Sequence, residues 1–258
     1  MTPNIAPLRN VAALIGLIEK VQSRAFSLPG MAIFHGPSGW GKTTAVTIAA
    51  NEFQAYCVQV KEHWTPSYLV QMIMQEIGLP PVRGIPAMVD AIGDHLLTSD
   101  RPLIVDDAQY LLQKKMLGLV RDIYESSQAP VILVGEEALA LNITRWENVH
   151  NRILEWQPAF ACNMSDAELL APIYCKGVAV DADLLAEILD KSKGSIRRVA
   201  VNLSRVQELA RSKGKTTFNL TDWADRAFNT GQPPVRPRAE QAYAAASVVP
   251  LKRKGGAK

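Results

Sequence analysis

Gly36-Pro37-Ser38-Gly39-Trp40-Gly41-Lys42-Thr43 fits the pattern G-x-x-x-x-G-K-[ST] at every fixed position, with Thr44 following. Residues of these types at this spacing handle phosphate. Glycines let a loop take backbone angles closed to other residues, so successive N–H groups converge on phosphate oxygens. A helix starting near Lys42 adds the positive end of its dipole. The Lys42 ammonium would reach the β- and γ-phosphates of ATP, and the Thr43 hydroxyl would bind Mg²⁺.

A phosphate site that turns over also needs carboxylates. Leu103-Ile104-Val105-Asp106-Asp107, about sixty residues downstream, places two acids at the end of an apolar run. Asp106 is expected to hold Mg²⁺ through water, and Asp107 to orient or deprotonate the attacking water.

These groups must be positioned by strands and helices, and the apolar pattern supplies both. A helix is predicted over 8–26 from apolar residues at Leu8, Val11, Ala12, Ile15 and Ile18. Apolar runs predict buried strands at Met31 to His35, Tyr56 to Val60, Leu103 to Val105 and Val131 to Val134, with a further strand-like stretch at Leu154 to Trp156. Helices are expected between them: Lys42 to about Phe53, Ser67 to Ile77, Ile85 to Leu97 and Gln113 to Ser126. Short strands alternating with helices imply an α/β fold, a parallel sheet sandwiched between helices. After about Pro158 the pattern changes to four helices with no strand between them: 165–174, 181–192, 195–212 and 221–228, with caps at Ser165, Asp181 and Thr221. The expected organisation is an N-terminal helix (1–30), a phosphate-loop α/β domain (31–160), an all-α lid domain (161–230) and a disordered basic tail (231–258).

The chain has 258 residues, 48% hydrophobic and 21% charged, which excludes collagen-like and wholly disordered classes. No run of 18 apolar residues and no secretory signal is found, so no membrane role and a cytoplasmic location are expected. Cys57, Cys162 and Cys175 match neither a disulfide framework nor zinc spacing, and are expected to be reduced, mostly buried thiols. The net charge of +3 hides a division: residues 1–190 hold 13 basic and 21 acidic side chains, and residues 191–258 hold 15 and 4. That asymmetry suggests a polyanionic partner for the basic end.

The phosphate loop, Asp106-Asp107-Ala108-Gln109, the strand Val131 to Val134 with Gly135-Glu136, and Gly194-Ser195-Ile196-Arg197 together resemble an AAA+ ATPase over about Leu8 to Phe228. Within that superfamily, Asp-Asp-Ala-Gln and Val-Gly-Glu-Glu are similar to the transposition ATPases, which include the phage Mu type. The resemblance implies assembly on DNA in the ATP form and stimulation of a transposase, in a host cell's cytoplasm if phage-encoded. Many such ATPases carry Glu where this chain has Asp107; a side chain one methylene shorter implies slow hydrolysis. The Mu type has an N-terminal helix-turn-helix domain, whereas here the ATPase begins almost at once, so any DNA would be bound by the ATPase assembly itself.

The resemblance also carries over single positions. Arg152 matches an arginine finger, offered by a neighbouring subunit to the γ-phosphate, and implies a homo-oligomer; Arg145 competes for that role. Arg197 matches the second sensor, reaching from the helical domain to the nucleotide, with Arg198 as alternative. Glu136 stands where the family more often places a neutral polar sensor.

Lys191, Lys193, Arg197, Arg198, Arg205, Arg211, Lys213 and Lys215 cluster in the helical end, with Arg198, Arg205 and Arg211 spaced to share a face. Lys114 and Lys115 lie at the start of the helix after the acids, and the tail adds Arg236, Arg238, Lys252, Arg253, Lys254 and Lys258. Such a surface predicts sequence-tolerant, salt-sensitive binding to double-stranded DNA. His35 reads as a strand-end residue, and Trp40 as packing on a subunit or on the nucleotide base. The competing functions are an ATP-dependent adaptor or loader that clamps a partner protein, and a nucleotide kinase.

Overall fold

The computed structural model describes residues 8–113 and 115–232. Five strands, β1 (Met31–His35), β2 (Tyr56–Gln59), β3 (Leu103–Asp106), β4 (Val131–Gly135) and β5 (Ile153–Pro158), form a parallel sheet in the order β2-β3-β4-β1-β5. β1, β3 and β4 occupy the interior of the sheet, and almost all of their side chains are buried. This is why they read as unbroken apolar runs rather than alternating ones.

Period-two geometry sends alternate residues of each strand into two separate cores. Ala32, Phe34, Ile104, Ile132 and Val134 pack toward α1 (Arg9–Gln22) and α2 (Lys42–Glu52). Met31, Ile33, Leu103, Val105, Val131 and Leu133 pack toward α3 (Pro66–Ile77), α4 (Ile85–Ser99) and, beyond the short α5 (Gln109–Gln113), α6 (Leu117–Ser127). Local sequence sets the limits of α3: the Thr65 hydroxyl accepts from the Tyr68 N–H at 3.2 Å, Pro66 occupies the first turn, and Gly78 closes the helix at φ 82°.

Beyond β4 come α7 (Glu137–Ile143), α8 (Glu147–His150) and β5, then α9 (Met164–Tyr174), α10 (Ala182–Ser192), α11 (Ile196–Ser212) and α12 (Leu220–Trp223). The last four helices bury Leu170, Leu184, Ile188, Val199, Leu203, Val206 and Trp223, and their core is continuous with that under α1 and α2.

Several expectations need correcting. The helix expected over Gln113 to Ser126 starts only at Leu117, and a short helix that was not expected, α5, ends at Gln113; the break between them falls at Lys115, whose φ is 55°. No glycine or proline marks that break. The helical end contains strands after all: β6 (Ala179–Val180) pairs in parallel with β7 (Thr217–Phe218). Two residues are too few to show a periodicity. The caps also differ. Asn163, not Ser165, caps α9 through a reciprocal capping box with Asp166, and Asn219, not Thr221, caps α12 with Asp222. α12 ends at Trp223 rather than Phe228, because Ala224 takes φ 54°. Lys114 and the tail from residue 233 onward lie outside the described residues.

Candidate nucleotide site

Parallel strands collect their following loops at one end of the sheet, and this is where the motifs meet. The phosphate loop leaves β1, the two aspartates end β3, and β4 lies between these strands. Strands are about 4.8 Å apart, so loop and acids face each other across a single strand end. The main chain holds that edge: Gly36 N–H donates to Gly135 O at 3.2 Å, and Ala108 N–H to Val134 O at 2.9 Å.

Gly39 and Gly41 have φ of 82° and 83°, the left-handed region that the loop requires. Both are also contact points. A Cβ on Gly39 would lie 2.8 Å from Ser195 Oγ, and one on Gly41 would lie 2.9 Å from Ile196 Cδ1. The start of α11 is thus docked on the loop, with Arg197 N–H donating to Gly39 O at 3.1 Å. Lys42 is 8% exposed, and its ammonium donates to Gly36 O at 2.7 Å and Pro37 O at 3.0 Å. Burial pushes its pKa below the usual lysine range, opposed by Glu136, Asp106 and Asp107 and assisted by Arg197. Arg197 is therefore near enough to Lys42 for the two cations to repel.

From behind, the first turn of α1 braces the loop. The buried Asn10 amide donates to Trp40 O at 2.8 Å and to Phe160 O at 2.9 Å, and its oxygen accepts from Phe160 N–H at 2.7 Å. Trp40 itself packs on Gly194 rather than standing free. His35 ends β1 as expected. Its Nδ1 is buried without a partner among the described residues, and burial lowers its pKa.

Asp106 is 2% exposed. Its Oδ1 accepts from the Asp107 N–H at 2.9 Å, whereas its buried Oδ2 has no partner among the described residues. Burial raises its pKa, opposed first by the Asp107 N–H, which favours the anion, and also by the nearby Thr43 hydroxyl and Lys42 ammonium. A carboxylate oxygen left unpaired beside a threonine hydroxyl is a donor set that suits a hard divalent cation such as Mg²⁺. Asp107 differs: it sits at φ 53°, half-buried, with an amide on each oxygen. Gln59 Nε2 donates to Oδ2 at 2.8 Å, and Gln109 Nε2 to Oδ1 at 3.2 Å.

A cleft of about 640 Å³ opens at this end of the sheet, lined on one side by Lys42, Thr43, Thr44, Gln59, Asp107 and Glu136. One stripe of α11 forms the other wall, including Arg197, Ser204, Arg205 and Glu208, with Tyr174 at the end of α9. Gln59, Tyr174 and Arg205 were not expected here. Helical spacing from Arg197 would have signalled Arg205, since residues seven or eight apart return to nearly the same face.

Other candidates lie elsewhere. Arg152 precedes β5, at the opposite end of the strands from the phosphate loop; its guanidinium pairs with Glu125, and its carbonyl accepts from Met31 N–H. It does not reach the cleft of its own chain. Arg145 lines a neighbouring groove with Gln109, Glu136 and Trp146. Arg198 faces a smaller cavity beside Ser38, Asn229 and Gly231, as Arg197 does from its other side. The shared face expected for Arg198, Arg205 and Arg211 is thus divided, since Arg205 turns to the cleft. The cationic cluster is also partly neutralised within the chain: Lys191 pairs with Glu187 and Asp190, Lys193 with Asp190, and Lys215 with Asp222, while the Lys213 ammonium donates to Asp222 O.

Cys57 is half-buried and the other two thiols are buried, all free. Among the described residues no group of three or more His, Cys, Asp or Glu could hold a metal ion by itself, and no helix is long and apolar enough to cross a membrane.

Residues 24–142 match the family described as AAA domain. The matched segment runs from β1 to α7 and contains the phosphate loop and both aspartates, which identifies it as an ATP-hydrolysing domain. No curated protein matches the sequence. Among solved structures, the ORC2 protein of Aeropyrum pernix in its ADPNP–ADP complexes shares 18% identity over 84% of this chain and 68% of that one, at a TM-score of 0.65. The A. pernix ORC1 protein in complex with DNA shares 14% identity over 85% and 64%, at 0.62. The Thermotoga maritima RuvB Holliday junction branch migration motor shares 17% over 84% and 67%, at 0.57. This chain therefore spans about two thirds of each, and the likeness is one of fold, an α/β AAA+-like sheet with a helical companion.

Proposed function

We propose that this protein is an ATP-driven DNA-binding assembly factor of the transposition type. It would bind Mg-ATP in the cleft between β-sheet and α11, form a homo-oligomer on DNA with little sequence preference, and act with a transposase. The observation that carries the nucleotide part is the meeting of Lys42, Thr43 and Asp107 in one cleft also lined by Arg197, with Asp106 buried next to Asp107. Glycine amides and the start of α2 would hold the phosphates, and Lys42 would exchange its two loop carbonyls for phosphate oxygens. Thr43 and Asp106 would hold Mg²⁺, which supplies charge neutralisation to the phosphates when bound. Asp107, its two oxygens fixed by amides, would orient the attacking water, while Arg197 would report the nucleotide to the helical end.

The DNA part is supported by the +11 balance of residues 191–258 and by structures of like fold, one of them in complex with DNA. The transposase part rests on the Asp-Asp-Ala-Gln and Val-Gly-Glu-Glu segments alone. A second reading, an adaptor that clamps a partner protein, is favoured by one observation: four of the lysines in the helical cluster are already engaged within the chain. Binding of a labelled duplex at low salt, with ATP, ADP or no nucleotide, decides between them. ATP-stimulated and salt-sensitive binding supports the DNA reading; intact nucleotide binding without any DNA binding overturns it.

A further inference from the structure

We propose that Gln109 is a positioning residue whose side-chain amide, reaching from α5, ties Asp107 to the end of β4. The proposal rests on the reading of Asp107 as the group that orients water. Gln109 is held at both ends of its amide: Nε2 donates to Asp107 Oδ1 at 3.2 Å, and Oε1 accepts from the Glu136 N–H at 3.2 Å. Only this orientation satisfies both contacts, because a reversed amide would set oxygen against carboxylate and N–H against N–H.

Its base is equally fixed. Ala108 N–H is bonded to Val134 O, and Tyr110 N–H to Asp107 O at 3.1 Å, so the side chain springs from main chain pinned to β4. Gly135 keeps the path clear, since a Cβ there would lie 2.7 Å from Gln109 Oε1. Glu136 takes part through its backbone; its exposed carboxylate faces the cleft and makes none of these contacts. Gln109 also borders the groove that holds Arg145 and Trp146. A shift at the end of β4 would thus be passed to Asp107 through one amide.

Gln109→Glu tests this with little change of shape: it can still accept from Glu136 N–H but no longer donates to Asp107. In the full chain with Mg-ATP, kcat should fall about tenfold or more while KM and the affinity for a fluorescent nucleotide stay within about twofold. Gln109→Ala should behave alike. In an Asp107→Asn background, single-turnover hydrolysis should show little further loss, because residues acting through one another are not additive. Unchanged kcat in both variants, a full additional loss in the Asp107→Asn background, or lost nucleotide binding with lowered Tm in Gln109→Glu would each overturn the proposal. Lys42→Ala separates the two readings: if it turns over like wild type, the assignment of the cleft fails; if it is inactive and Gln109→Glu is not, only the role of Gln109 fails.

Discussion

The Gln59 side chain, at the end of β2, donates to Asp107 Oδ2 at 2.8 Å, joining the ends of two neighbouring strands through the carboxylate that faces the cleft. Asp107 sits at φ 53°, a conformation that aspartate tolerates better than most residues but that does not by itself fix where the carboxylate points. The Gln59 amide does. Gln59→Ala should lower kcat with little effect on nucleotide affinity. A hydrogen bond to a charged group at a partly exposed site is worth about 1–2 kcal/mol, or roughly 5- to 30-fold in rate. Steady-state phosphate release checks this, and an unchanged kcat would show that Asp107 needs no such support.

Lys42→Ala should abolish nucleotide binding or turnover, because among the described residues no other buried cation touches the phosphate loop carbonyls. Equilibrium binding of a fluorescent ATP analogue measures it directly. Wild-type turnover in this variant would remove the loop from the site.

Gly41→Ala combines two penalties. An L-residue at φ 83° costs roughly 1–2 kcal/mol, and the new Cβ would meet Ile196 Cδ1 at 2.9 Å. The start of α11 should therefore lift from the loop. Lower Tm, weaker nucleotide binding and faster proteolysis near residues 194–197 are expected together; loss of nucleotide binding alone would mean that the contact with Ile196 contributes nothing.

The three cysteines should resist modification while the chain is folded. Burial pushes Cys57 and Cys162 up to about 12 and Cys175 to about 11. A raised thiol pKa leaves little thiolate at pH 8, and thiolate is the reactive form. Titration with a disulfide reagent at pH 8 should show slow reaction in native buffer and three fast thiols after denaturation. Prompt reaction of Cys57 in native buffer would contradict its environment.

Arg152→Ala should leave nucleotide binding intact, since Arg152 lies at the far end of the strands and pairs with Glu125. Losing that half-exposed pair should cost no more than about 1 kcal/mol of stability. If Arg152 is offered to a neighbouring subunit, hydrolysis in the assembly should fall, and mixing with Asp107→Asn should restore part of it. Restoration by Arg145→Ala mixtures but not by Arg152→Ala mixtures would move the role to Arg145.

Much of the sheet and the phosphate site was legible because the physics is local. Met31 to Phe34 and Leu103 to Val105 are buried on both faces, and such stretches must be apolar along their length. Gly39 and Gly41 are written into the motif because the loop needs positive φ. Less local signals misled: the break at Lys115 has no glycine or proline to announce it, and β6 and β7 are too short to carry a pattern. The caps at Asn163 and Asn219 each lie two residues before Ser165 and Thr221, because serine and threonine offer equally plausible capping side chains.

By itself, then, the sequence determined the class of fold, the phosphate loop and the pair of acids, since each follows from residue type and short spacing. Tertiary structure decided how the acids differ, leaving Asp106 buried with an unpaired oxygen and Asp107 held between Gln59 and Gln109. It also decided the fate of the charges. Lys191 and Lys193 pair with Asp190 over one and three residues, a contact that spacing alone shows, whereas the fold sets Lys215 beside Asp222 across β7 and turns Arg205 into the cleft. Residues far apart in the chain meet only when the strand order is set, and no spacing rule encodes that order.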